Sequence, residues 1–379
     1  MDFSGIDRRG FLKIGAAAGA LVAVSFLPGA TLAEGGPPEV RPAKLKDIVD
    51  MSPEDMARAS AKVMAAQDYI QKTVGSIKDQ ALREKVAAIL ANPAPTFMAK
   101  VDGKVRAELY KELCAKGCLK DVAEQDFLPP LSSAAQSPQP FLSAPGSGWG
   151  SHHAYPGGVV THTALNLMST LGLYEGYIAA YGLTLDRDAL IASQALHDLH
   201  KPWVFQWQAD GSLRNEMPLA GTGEHHTYGV TEVIARGLPA SVCVAQACAH
   251  EQPGGAKEEA LVAGWIGTAG ILTGTDPVKA GLLDSAEKLP QPLRFEGFVT
   301  HLGDHDWVVS VPTAKRLYAQ LKEIAATDYG LSAADLAGRK FNSFRNYVLS
   351  QGMIETLYVL YATKGREALA KRVKEIVIA

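Results

Sequence analysis

All ten histidines of this 379-residue chain fall between residues 152 and 305, so the first 151 and the last 74 residues have none. Four of them stand in short motifs. His162 closes the run Tyr155-Pro156-Gly157-Gly158-Val159-Val160-Thr161-His162. His197 and Asp198 sit in Ala195-Leu196-His197-Asp198-Leu199-His200-Lys201, His225 in Glu224-His225-His226-Thr227-Tyr228-Gly229, and His250 in Ala249-His250-Glu251. His197 follows His162 by 35 residues, His225 follows Asp198 by 27, and His250 follows His225 by 25. Donors so far apart can meet only if the chain folds back repeatedly, and these spacings suit one donor per helix. Imidazole and carboxylate donors without thiolates suit Fe, Mn, Zn or Ni. Several imidazoles with two carboxylates can hold two ions, and an oxygen donor shared between them would acidify a bound water to a nucleophile near neutral pH.

The apolar pattern agrees with a helical chain. Ser52-Pro53-Glu54-Asp55 reads as a helix start, with Ser as N-cap, Pro at the first helical position and acids in the first turn. Met56, Ala59, Val63, Ala66, Ile70 and Val74 follow at helical spacing and predict one continuous helix. A second helix carries Leu82, Val86, Ile89 and Leu90 and stops before Pro93, and a third spans about Val105 to Leu119. Residues 34–45 read as a Pro/Gly-rich linker, and residues 125–150 as loop. Beyond residue 151 helical spacing returns without a convincing alternating strand. Gly237 with Pro239 closes one helix, Pro202 and Pro253 close two others, and 312–379 reads as helices packed on the main bundle.

Near the start, Arg8-Arg9-Gly10-Phe11-Leu12-Lys13 precedes an apolar run from Ile14 to Leu27, and Thr31-Leu32-Ala33 resembles a signal-peptidase site. The segment resembles a twin-arginine signal; at about 14 residues the run is short of the roughly 20 a membrane span needs. This implies the twin-arginine export machinery as a partner, a periplasmic destination, a mature chain from near Glu34, and no stable membrane span after signal removal. That route carries proteins folded before export, often with a cofactor already loaded. The four cysteines, Cys114, Cys118, Cys243 and Cys248, form no CxxC pair, and buried free thiols are expected. A net charge of −3 gives no footprint for nucleic acid.

The order His … His-Asp … His … His … Asp resembles that of HD-domain metal-dependent phosphohydrolases, in the longer form that usually holds two metals. His152-His153-Ala154-Tyr155-Pro156-Gly157-Gly158 ahead of His162 is similar to the opening of bacterial HD-type nucleases and their relatives. The resemblance covers about residues 150–310. His200 stands where the family usually has Gly before the lysine, a departure that affects the local turn and the reach of Lys201. The resemblance implies a first metal held by His162, His197, Asp198 and a late aspartate. It implies a second held by His225 and His250, with Asp198 bridging. His226 competes with His225; His225 is preferred because it lies four residues before Gly229.

For the late aspartate two residues compete. Asp276, in Gly274-Thr275-Asp276-Pro277, reads as the N-cap of a new helix, with its oxygens occupied by backbone N–H groups. Asp304, in His301-Leu302-Gly303-Asp304-His305-Asp306, reads as mid-helix and shares a face with His301. Asp304 is chosen. Lys201 is expected to aim a cation at a substrate oxyanion. His152, His153 and His200 are expected to line or support the pocket. Trp203, Phe205 and Trp207 are read as core packing. Glu224 and Glu251 are as suited to orienting imidazoles as to the surface.

The expectation is therefore an all-α protein. Residues 1–33 form a signal peptide, 34–125 an N-terminal helical region, 126–311 an HD-type metal-binding bundle, and 312–379 C-terminal helices packed on the core. The expected activity is metal-dependent hydrolysis of a small phosphate ester or phosphoanhydride, through a metal-bound hydroxide and two divalent ions (Fe, Mn or Zn), with Asp198 and Lys201 as catalytic groups. The alternative is a mixed-valent di-iron oxygenase on the same ligands; a binding or sensor protein with a degenerate site is a third class.

Overall fold

Ser52 accepts a hydrogen bond from the Asp55 amide at 3.1 Å and so starts a helix with Pro53 at its first position, as its sequence requires. The structure, a computed structural model, describes residues 40–379; the twin-arginine segment lies outside the described residues. The chain enters through a two-residue strand, β1 (Ala43–Lys44), and a short helix, α1 (Leu45–Asp50). The part of the expected linker from residue 40 on is tied to the domain. The Arg41 amide donates to Gln351 Oε1 at 3.2 Å, and the Arg41 carbonyl accepts from the Tyr347 hydroxyl at 2.6 Å.

The single helix expected from Met56 to Val74 is two: α2 (Pro53–Ala59) and α3 (Ala61–Gly75). The break falls at Ser60, which adopts φ −88° and ψ 113°. Its buried hydroxyl accepts from the Val63 amide at 3.3 Å and donates to the Ser350 carbonyl at 2.6 Å. A serine side chain that can satisfy a free helix N–H competes with helix continuation, and apolar spacing does not register that competition. Asp79 caps α4 (Gln80–Ala91), which stops before Pro93. Helix α5 (Gly103–Ala115) ends earlier than its apolar pattern suggests, because Gly117 turns left-handed at φ +71° and the Cys118 amide closes back on the Leu113 carbonyl.

A stretch with only short 3-10 turns leads to α6 (Gly158–Tyr181), 24 residues long. There follow α7 (Arg187–Leu196), the one-turn α8 (Lys201–Val204), a two-residue hairpin of β2 (Pro218–Leu219) and β3 (Thr222–Gly223), and α9 (Glu224–Ala235). Pro202 sits inside α8; it does not close a longer helix. Next come α10 (Ala240–Ala247), α11 (Ala256–Thr273), α12 (Phe295–Gly303) and α13 (Trp307–Tyr329), then α14 (Arg339–Gly352) and α15 (Ile354–Ile376). Strand β4 (Val377–Ile378) ends the chain parallel to β1, with Ala43 opposite Val377. Position 312 lies within α13, which carries Pro312. The fold is all-α.

Helix α6 lies against α3, α7 and α12, α7 also meets α10, and α9 packs along α11. One apolar cluster takes in Ile48, Val63, Val160, Leu196, Val262, Leu321 and Val373, so the first and last helices share a core with the central ones. Each such side chain fully buried stabilises the fold by roughly 1.5–3 kcal/mol before the entropy of ordering is counted. A second cluster joins Phe97, Leu113, Trp203, Phe205 and Tyr228. Among the described residues no helix is long and apolar enough to cross a membrane. All four cysteines are free; Cys243 and Cys248 are buried as expected, whereas Cys118 is half-buried and Cys114 is exposed, because the α5 surface that carries it faces solvent.

Candidate metal centre

Helix α6 carries a polar stripe through the core. His162, Asn166 and Thr170 recur every four residues, so they lie on one face, and all three are buried. The turn that starts α6 is built by glycines at close approach. A Cβ on Gly158 would run into the His153 carbonyl oxygen, and one on Gly146 would come within 2.6 Å of His153 Cβ. Gly157 takes φ +87° against Val63. This tight loop brings the His152 and His153 rings within 5.1 and 5.3 Å of the His162 ring.

Five segments then converge. His162 Nε2 lies 3.3 Å from Asp198 Oδ2 and 3.0 Å from Asp304 Oδ1. His197 Nε2 lies 3.1 Å from Asp198 Oδ2 and 3.3 Å from Asp304 Oδ1. The other oxygen of Asp198, Oδ1, faces His225 Nε2 at 3.8 Å and His250 Nε2 at 3.7 Å, and His250 Nδ1 lies 3.1 Å from Asp304 Oδ2. Asp198 therefore turns one oxygen to each of two histidine pairs. His162, His197 and Asp304 offer donor atoms within 4.8 Å of one another, and so do His225, His226 and His250.

Ring orientation is fixed from behind. His197 Nδ1 donates to the Gln194 carbonyl at 2.7 Å, which leaves Nε2 free to face the centre. His225 Nδ1 is held by the Glu216 carboxylate, and its amide donates to the same oxygen at 3.0 Å. A carboxylate or carbonyl behind an imidazole is the usual support of a metal-binding histidine. Asn166 Nδ2 donates to Asp304 Oδ1 at 2.6 Å. Asp198 Oδ1 and His250 Nε2 have no hydrogen-bond partner, and of the two Asp198 oxygens the Lys201 ammonium meets only Oδ2. Buried lone pairs aimed at one point are costly without a partner, so the donor set fits metal ions.

The two central carboxylates are held ionised by the groups around them. Burial would raise the Asp198 carboxyl, but His197 and Lys201 outweigh it and hold it well below the usual carboxylate range. Asp304 is held low in the same way, chiefly by His197 against its burial. Burial works against charge on His197, yet Asp198 and Asp304 push it up to about 9. Burial and the neighbouring His250 keep His226 well below the usual histidine range.

Asp304 is at the centre, but not mid-helix. Helix α12 ends at Gly303, where a Cβ would run into Thr170 Oγ1, and Asp304 follows as its C-cap at φ −94°. His301 accordingly does not share its direction; its Nδ1 donates to the Ala249 carbonyl at 3.0 Å. Asp276 is exposed, and its Oδ1 accepts from the Val278 and Lys279 amides at 3.1 and 3.2 Å, in a turn and not at the start of a helix. His226 stacks on His250 with ring centroids 3.9 Å apart. The buried Lys201 ammonium touches Asp198 and the Gly146 carbonyl.

Glu224 does not orient His225. It pairs with Arg214 and accepts from the Met217 amide, and burial pushes its carboxyl up to about 6. Glu251 accepts from the Gln252 amide. Trp203 is core, against Phe97 and Tyr228, while Phe205 also walls the site 5.5 Å from the His225 ring. His200 is buried between Phe97 and Trp203, with no hydrogen-bond partner for either ring nitrogen. The sequence reading missed Asn166, Glu216 and Asp306. Asn166 was findable, one turn beyond His162 on the same face; Glu216, on an irregular loop, had no signal.

No family model matches the chain, and no solved structure matches it. The chain is similar to the dihydroneopterin 2',3'-cyclic phosphate phosphodiesterase of Methanocaldococcus jannaschii, at 27% identity over 180 residues. The match covers 47% of this chain and 57% of that protein, so it spans little more than half the length of the relative.

Proposed function

We propose that the chain is a metal-dependent hydrolase of the HD type, acting on a small phosphate ester, with cyclic phosphodiesters the first class to try. The reading is carried by Asp198, whose two oxygens face different histidine pairs. The likeness to a cyclic phosphate phosphodiesterase supports the substrate class.

In this reading His162, His197 and Asp304 hold one ion, His225 and His250 hold another, and Asp198 offers an oxygen to each. Such ions, when bound, supply a nucleophile from water at neutral pH and polarise a phosphoryl oxygen. The chain's residues do the remaining work. The Gln194 carbonyl and the Glu216 carboxylate hold His197 and His225 in the tautomer with a free Nε2. Asn166 fixes the Asp304 carboxylate. Lys201 is the cation at hand for a phosphoryl oxygen: charge satisfied on Asp198 by ions frees the ammonium for the substrate. Phe205 and the His152–Gly158 turn wall the site. Export by the twin-arginine route to the periplasm belongs to the same proposal and rests on Arg8-Arg9 ahead of the apolar run.

The test is hydrolysis of bis(p-nitrophenyl) phosphate and of 2',3'-cyclic phosphates by purified protein loaded in turn with Mn2+, Zn2+ and Fe2+. Cleavage abolished by chelator and restored by one of these ions is expected. Absence of cleavage of any phosphoester with every ion would overturn the reading. A mixed-valent iron EPR signal that changes with O2 would assign the same ligands to an oxygenase instead.

A further inference from the structure

Beside the centre lies a second group of donors that the metal-dependent reading does not use. His153 Nε2 is 2.5 Å from Asp306 Oδ2 and 3.8 Å from Glu355 Oε1, and the three donor atoms lie within 4.8 Å of one another. They come from three places: the glycine-built turn before α6, the residue that opens α13, and the first turn of α15.

The Tyr155 hydroxyl lies 3.1 Å from His153 Nδ1, 2.8 Å from the Thr161 hydroxyl and 3.4 Å from Met353 Sδ. When Nδ1 donates to the Tyr155 oxygen, His153 Nε2 faces the two carboxylates. No lysine or arginine among the described residues reaches either carboxylate within 4.0 Å; their charge partners are His153 and, for Asp306, also His162. Glu355 Oε1 is buried and has no hydrogen-bond partner, although the side chain is one-third exposed and so gives access from solvent.

We propose that His153 Nε2, Asp306 Oδ2 and Glu355 Oε1 form a third cation site, for a divalent transition ion such as Mn2+ or Zn2+. One imidazole and two carboxylates are a donor set for those ions, and a histidine held through its other nitrogen is their usual support. An ion bound about 2.1 Å from each donor needs the 2.5 Å between His153 Nε2 and Asp306 Oδ2 to open by less than about 1 Å. The site adjoins the main centre through His162, whose Nε2 faces Asp198 and Asp304 while its Nδ1 lies 3.8 Å from Asp306 Oδ2.

The test counts ions and does not need activity. Full-length protein is dialysed against Mn2+ or Zn2+, and bound metal per chain is measured for the wild type, Glu355→Gln, His153→Gln, His225→Gln and the double variant Glu355→Gln/His225→Gln, each checked for wild-type circular dichroism. Glu355→Gln and His153→Gln are each expected to hold one ion fewer than wild type. The double variant is expected to lose one further ion relative to His225→Gln. An unchanged count in a folded Glu355→Gln protein, with a loss in His225→Gln, overturns the third site and leaves the main centre standing. Absence of bound metal in the wild type overturns both.

Discussion

The ammonium of Lys201 lies 2.5 Å from Asp198 Oδ2, one helical turn along the chain. Both groups are buried, so this pair holds charge in place where water cannot screen it. Lys201→Ala is expected to keep the metal content of the wild type and to lower turnover of a phosphodiester by about 10²-fold, the scale of losing one oxyanion donor. Turnover at the wild-type rate would assign Lys201 to neutralising Asp198 alone.

Asp198→Ala is expected to remove both main-centre ions together, because its two oxygens face different histidine pairs. Asp304→Ala is expected to lose metal as well, while Asp276→Ala keeps it, since Asp276 is exposed and bonded to its own turn. Metal analysis of the three purified variants decides this. Retention of two ions by Asp198→Ala would refute the shared-carboxylate arrangement.

Burial between Phe97 and Trp203 drives the His200 imidazole down to about 4. The unfolded chain takes up that proton near pH 6.5 and the folded one only near 4, so His200 supports stability above pH 6.5 and withdraws that support as pH falls toward 4. The full effect is about 3 kcal/mol at 1.36 kcal/mol per pH unit. In urea melts between pH 7 and 4 the wild type is expected to lose about 3 kcal/mol more stability than His200→Leu. Parallel curves would show that His200 does not titrate in this window.

Replacement of Arg8 and Arg9 by lysine is expected to leave the protein in the cytoplasm of its host. Periplasmic delivery of that variant at wild-type levels would exclude the twin-arginine route.

What the sequence made legible came from helical spacing and from the order of its motifs. His162, His197, Asp198, His225 and His250 were legible through the resemblance of their order to that of HD-domain phosphohydrolases, and the structure brings their side chains together. The all-helical class followed from helical spacing together with that resemblance. Local competition was not legible: Ser60 ends a helix through a hydroxyl that reaches Ser350, a partner 290 residues away. Nor was the end of α12, which packing of Gly303 against Thr170 decides. Glu216 supports His225 from a loop, and loops carry no period from which to read a direction.

The pairing of β1 with β4, together with the Ser60–Ser350 and Arg41–Tyr347 bonds, also bears on biosynthesis. Ser60 and Ser350 are 290 residues apart, so most of the domain has to be made before α2 meets α14. Contacts so distant in sequence slow folding, so closure of β1, α1 and α2 onto α14 and β4 is expected to be a late step.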